Sequence, residues 1–218
     1  MDVKGKYALV MDGTRGVGFL FAEELLKMNA GKVVITGLDE RTGAEAVRDL
    51  NERYRPARAY FCQTDVTNPS PDSHKSDFED MFKYINNNFG AMQIFFNNAE
   101  MHGSKDIIGT HMKTKIRGII LASKHMKNGV IVNHTSALGL DPNSQMIDHG
   151  AASAGIFAAC MAFSKNKYFE KTKIRMMTIC SELSQMSVGG AEEDRHQYVK
   201  IKQIIFYVRS INKYLDDN

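Results

Sequence analysis

A doubly wound parallel α/β sheet is the fold class this sequence predicts, on three observations. Six short runs rich in β-branched and aromatic residues recur along the 218 residues. Amphipathic segments with helical spacing separate them. The first run passes straight into a glycine turn, "DGTRGVG" (Asp12 to Gly18), and then into a helix. Repeated alternation of strand and helix requires each crossover to return over a face of the sheet, so the strands lie parallel with both faces covered. A chain of this length with 43% hydrophobic residues has material for one sizeable core, and a single domain over residues 1–218 is expected.

The strands read as "YALVM" (Tyr7 to Met11), "KVVIT" (Lys32 to Thr36), "RAYFCQ" (Arg58 to Gln63), "QIFFN" (Gln93 to Asn97), "GVIVNHT" (Gly129 to Thr135) and "IRMMTIC" (Ile174 to Cys180). Each has the apolar density of a strand buried on both faces. The first helix, "FLFAEELLKM", shows in Leu20, Glu23, Glu24 and Lys27 the mixed faces of a packed helix. "RTGAEAVRDLNERY", "SDFEDMFKYINNNF", "IRGIILASKHM" and "GIFAACMAFSKNKYF" follow the next four strands in turn. Pro69 and Pro71 in "TNPSPDSH" mark a surface loop. "GGAEEDRHQ" marks another, ahead of a last helix around Tyr198 to Tyr214, and this stretch, residues 182–214, is expected to be lid-like.

The formal charge of +3 is spread along the chain, with no dense basic run interleaved with aromatics, so no nucleic-acid partner is expected. Cys62, Cys160 and Cys180 lie far apart, without the short paired spacing of a zinc or redox motif. Reduced thiols and no metal site are expected. The start "MDVKGKYALV" lacks the apolar region of a signal peptide, and no stretch approaches the ~20 apolar residues of a membrane span. A cytoplasmic protein without a membrane partner is expected.

In a fold of this kind the first strand-to-helix turn binds pyrophosphate, because unpaired amides and the helix dipole point at the anion and glycines let the backbone approach. Gly13, Gly16 and Gly18 occupy that turn. Any tight turn uses glycines too, so further motifs matter. "TDVTN" places Asp65 and Val66 just past the third strand, "NNAE" places Asn97, Asn98 and Ala99 at the end of the fourth, and "VNHTSALGL" places Ser136 at the end of the fifth. In this order the motifs resemble the short-chain dehydrogenase/reductase family, with the look of its hydroxyprostaglandin dehydrogenase and insect alcohol dehydrogenase branch, from about Val3 to Leu183. The resemblance implies a Rossmann-like fold and a nicotinamide cofactor, NAD or NADP, held by Asp12, Gly13, Gly16, Gly18, Asp65, Val66, Asn97 and Ala99. Measured against the family, the sheet is expected to lack its last strand.

The resemblance also exposes departures. The family's Thr-Gly-x-x-x-Gly-x-Gly turn falls on Met11, Asp12, Gly16 and Gly18. An ionised Asp12 facing a pyrophosphate at 4 Å costs about 1–4 kcal/mol, unless it turns outward and Gly13 takes over the turn. The acidic residue with which NAD-selective members hold the ribose is replaced by Gly37, with Asp39 and Arg41 beyond, so NAD and NADP are not distinguished. Asn-Asn-Ala-Gly becomes Asn97, Asn98, Ala99 and Glu100, with a Cβ where backbone lies near the cofactor. The family's catalytic Ser falls on Ser136, its Tyr-x-x-x-Lys pair on His149 and Ser153, and its fourth-helix Asn on His111. Imidazole is a competent proton donor near neutral pH, yet Ser153 supplies no cation beside it. Tyr198 and Lys202 in "YVKIK" match Tyr-x-x-x-Lys but lie too far beyond Ser136.

Two functions are therefore weighed. The first is a catalytically impaired pseudoenzyme, its dinucleotide binding weakened or lost, acting as a binding, structural or storage protein. The alternative is an active NAD(P)-dependent oxidoreductase on a small alcohol, ketone or hydroxy lipid, with Ser136 orienting the carbonyl and His149 donating the proton. Family members pair their fourth and fifth helices across a two-fold axis. "GAASAGIFAACMAF" is small-residue rich and apolar for longer than one buried face needs, so a homodimer through these helices is expected.

Overall fold

Alternating inward and outward side chains build two cores on one sheet. The computed structural model describes residues 2–54, 56–66, 78–98 and 108–181; Ala99, Glu100 and the segment 182–214 lie outside the described residues. Strands β1 (Tyr7–Val10), β2 (Lys32–Gly37), β3 (Ala59–Gln63), β4 (Ile94–Asn97), β5 (Gly129–Ser136) and β6 (Ile174–Ser181) pair in parallel in the order β3-β2-β1-β4-β5-β6. Helices α1 (Gly16–Lys27), α2 (Glu40–Arg53), α3 (Phe78–Phe89), α4 (Lys113–His125), α5 (Ile147–Phe163) and α6 (Asn166–Thr172) connect them. Successive strand residues face opposite sides. Val10, Ile35, Phe96 and Val132 meet Phe21 and Leu25 of α1 and Leu50 of α2 on one face. Leu9, Phe95 and Ile131 meet Phe82 of α3, Ile119 of α4 and Ile156 of α5 on the other. Phe21 stacks flat on Phe96 at 3.9 Å, fixing α1 over the centre of the sheet.

The chain order along the sheet reverses between β1 and β4. There the crossovers to either side depart to opposite faces and leave a crevice above the carboxyl ends of the strands. A doubly wound Rossmann-like sheet is thus the observed fold. Among the described residues no helix is long and apolar enough to cross a membrane.

Several details differ from the expectation. Burial on both faces holds for the inner strands β2, β1, β4 and β5, whereas β3 and β6, at the ends of the described sheet, are only partly buried. The segment read as one helix after the fifth strand is two. Ser164 Oγ donates to the Met161 carbonyl at 2.9 Å, competing with the helix at its last turn, and α6 starts afresh after Lys165. A one-turn π-helix, Ile108–Met112, precedes α4. Glu23 and Glu24, read only as part of the mixed faces of α1, are both buried. Glu23 accepts from Tyr54 Oη at 2.7 Å and from Arg53 Nη1 at 3.1 Å, and Lys27 lies 3.3 Å away, so α2 covers what the helical wheel assigns to solvent.

Burial works to raise the Glu23 carboxyl, but the Tyr54 hydroxyl, Lys27 and Arg53 outweigh it and leave the pKa below the ordinary carboxylate range. A depressed native pKa stabilises the fold above the unfolded value and loses that contribution as pH falls through the native one. Glu23→Gln is expected to cost about 1 kcal/mol at pH 7 in urea unfolding, a difference that fades as the pH falls below about 4. A cost unchanged at acid pH would show that shape, not charge, is what Glu23 contributes.

Candidate active site

At the end of β1 the chain turns through Asp12, whose φ of 49° is left-handed. That conformation favours glycine and next Asn or Asp, so an aspartate serves here where a β-branched residue would be strained. The turn is tied down on both sides. Met11 N–H donates to the Phe96 carbonyl and Gly13 N–H to the Thr36 carbonyl, both at 2.9 Å, and Asn98 Nδ2 donates to the Asp12 carbonyl at 3.2 Å. Gly18 is obligatory: a Cβ there would lie 2.2 Å from the Asp12 carbonyl oxygen. Gly16, with φ of 57°, faces open space. Arg15 at the N-cap of α1 offers no side-chain acceptor, and the first turn holds no acidic residue. The amides of Gly16, Val17 and Gly18, which have no intrahelical acceptor, and the positive end of the helix dipole therefore suit an anion.

At the carboxyl ends of the neighbouring strands, polar groups are buried and connected. Asn97 is fully buried, and its Nδ2 donates to the Lys115 carbonyl and to Asn133 Oδ1, both at 2.9 Å. Its side chain thus joins β4 to α4 and β5. Lys115 is itself fully buried, with its ammonium donating to the carbonyls of Asn97 at 2.7 Å and His134 at 2.6 Å. Sequence reasoning missed this residue. The available signal was its place one turn after His111, among the buried Thr114, Gly118 and Ile119, on a face where a cation must find oxygen partners.

Ser136 ends β5 and is buried; its Oγ accepts from Leu138 N–H at 3.2 Å and caps a short 3-10 turn, Ala137–Gly139. This turn packs on α5, since a Cβ on Gly139 would lie 2.7 Å from the Ser153 carbonyl carbon. Ser136, His149 and Ser153 are thereby drawn towards one corner, between the end of β5 and the amino-terminal half of α5. His111, buried in the π-helical turn, joins them: its ring centroid lies 5.8 Å from that of half-buried His149. Ser153 is fully buried, and among the described residues its Oγ has no hydrogen-bond partner.

Asp39 is a helix cap. Its carboxylate accepts from Thr42 N–H at 2.7 Å and from the Thr42 hydroxyl, which together hold its pKa below the ordinary value, helped by the nearby Arg41 and Arg15 charges. Asp65 and Val66 follow β3, half-buried, after Thr64 N–H donates to the Gly37 carbonyl at 3.0 Å. Burial pushes all three cysteine thiols up, favouring the unreactive protonated form. Among the described residues no three His, Cys, Asp or Glu side chains cluster as a metal site.

Known proteins resemble this chain in sequence and in fold. The short chain dehydrogenase family model matches residues 6–189. The 15-hydroxyprostaglandin dehydrogenase [NAD(+)] of Mus musculus is 27% identical over 217 residues, covering 94% of this chain and 78% of its own. Alcohol dehydrogenase 2 of Ceratitis capitata is 27% identical over 211 residues, covering 94% of this chain and 80% of its own. A short chain dehydrogenase/reductase from Burkholderia phymatum, solved in complex with NAD, superposes with a TM-score of 0.72 at 18% identity, over 92% of this chain and 80% of that one. NAD+-bound xylitol dehydrogenase gives 0.74 at 18% identity, over 90% and 76%. With its parallel sheet, its β1–α1 glycine turn and this match over most of its length, the chain belongs to the short chain dehydrogenase family, a family of oxidoreductases.

Proposed function

We propose that this protein binds a nicotinamide dinucleotide at the β1–α1 turn, prefers the 2′-phosphorylated form, and transfers hydride poorly or not at all. The turn fits the cofactor's pyrophosphate: α1 presents an uncapped N-terminus, and Gly18 lets that helix approach the turn. Gly37 at the end of β2 supplies no acceptor for a ribose hydroxyl, and Asp39 is engaged as the α2 cap. Arg15 and Arg41, the latter 3.3 Å from Glu45, are exposed beside it and offer guanidinium groups to a 2′-phosphate.

Ser153 is the observation that carries the impaired reading. The nicotinamide carries the hydride, so the protein's tasks are to position the carbonyl and deliver a proton. At the position where the family resemblance calls for an ammonium, this chain has a buried hydroxyl with no partner among the described residues. Such a group neither anchors a ribose nor tunes a neighbouring acid. A second reading has its own support: His111 and His149 stand ring to ring, a spacing that suits proton transfer through one water, with Ser136 to orient the carbonyl. On that reading the chain is an active oxidoreductase of small alcohols, ketones or hydroxy lipids. Either way the protein acts as a homodimer through α4 and α5. In support, α5 exposes Ala151, Ala154, Ala158 and Met161 along one side, and α4 exposes Ile120.

Hydride transfer from NADPH to a panel of short aldehydes and ketones is expected to rise by roughly 10²-fold or more in the His149→Tyr/Ser153→Lys double variant. A wild-type rate that the variant does not exceed would favour the histidine relay. Sedimentation at micromolar concentration is expected to give a dimer; a monomer throughout would contradict the α4–α5 interface.

A further inference from the structure

His134, which no motif singles out, sits at the centre of a hydrogen-bonded line across the carboxyl edge of the sheet. The residue is 2% exposed and its ring lies over Phe96. Nδ1 stands 2.8 Å from Asn98 Oδ1 and Nε2 stands 3.0 Å from Ser181 Oγ. Asn98 in turn donates through Nδ2 to the Asp12 carbonyl, the oxygen that Gly18 must clear. The line therefore runs from β6 through β5 and β4 to the β1–α1 turn.

The directions of these bonds follow from the inventory of donors. Asn98 gives its amide N–H to Asp12, so its oxygen faces His134 and must accept, which places the imidazole proton on Nδ1. In the neutral ring Nε2 then carries a lone pair and accepts the Ser181 hydroxyl proton. A neutral Nδ1–H tautomer satisfies every member of the line. Lys115 adds a second fixing point, holding the His134 carbonyl with its ammonium.

We infer that His134 is a positioning residue for the dinucleotide site: through Asn98 it holds the Asp12 carbonyl, and with it the left-handed turn and the aim of the α1 amides. This rests on the reading of that turn as a dinucleotide site. The imidazole edge facing Asn98 carries the function, and the edge facing Ser181 fixes the tautomer. Asparagine reproduces a donor at the Nδ1 position, glutamine reproduces a polar atom at the Nε2 position, and leucine reproduces neither.

The test compares His134→Asn, His134→Gln and His134→Leu, each with thermal unfolding as a check of folding. Two readouts are taken: the dissociation constant for NADPH, and hydrogen exchange of peptides spanning the turn in cofactor-free protein. His134→Asn is expected to bind NADPH within about threefold of wild type and to keep the turn protected. His134→Gln and His134→Leu are expected to weaken binding by at least roughly tenfold and to speed exchange at the turn. Asn98→Ser is expected to match His134→Leu, and combining the two should add little, as for members of one network. Glutamine equal to or better than asparagine, or additive losses in the double variant, would overturn the assignment. If wild type binds no dinucleotide the reading of the site fails, while the exchange ranking still decides the role of His134.

Discussion

The close approach of α1 to the end of β1 is the constraint on which the rest of the structure depends. Only hydrogen at Gly18 lets the helix pass the Asp12 carbonyl oxygen, which a Cβ would approach to 2.2 Å. From that approach the helix lies over the sheet with Phe21 stacked on Phe96, and its N-terminus opens where the strand order reverses between β1 and β4. A side chain at Gly18 would force backbone to move, since the opposing atom is a carbonyl and not the end of a flexible chain. One residue thus sets both the packing of the first crossover and the direction of its dipole.

Around this contact, buried polar groups do what apolar packing cannot. A hydrophobic core stabilises the sheet without fixing the directions of strand ends, because burial is nonspecific in angle. Hydrogen bonds from Lys115, Asn97, Asn98 and His134 fix them instead, joining β4, β5, β6, α4 and the β1 turn. Each buried group is costly if left without a partner, so the network holds one arrangement strongly. Among the described residues the buried Ser153 Oγ and Asn97 Oδ1 find no partner, and there the polar complement is incomplete.

The sheet was legible because its inner strands are continuous apolar runs and its crossovers are helices with clear periodicity, as Leu9, Phe95 and Ile131 illustrate. The β1–α1 turn was legible from its glycines, though the left-handed backbone at Asp12 emerges only from the structure. Glu23, Glu24 and Lys115 were not, because periodicity assigns charged residues to solvent and cannot foresee that α2 or the ends of β4 and β5 will supply partners. The π-helical turn at His111 also left no pattern, since the widening of one turn is a response to packing. The proximity of His111 to His149 belongs to the same class: it depends on how two helices meet, which no local spacing encodes.

Thermal-shift titration of the wild-type protein with NADPH and NADH in parallel tests the central claim most directly. Ligand at about 100 times its dissociation constant stabilises the native state by about 2.7 kcal/mol, a readily measured shift. The account predicts a saturable shift with both, reached at lower concentration with NADPH, and loss of that preference in Arg15→Ala. No shift with either dinucleotide at millimolar concentration would contradict it.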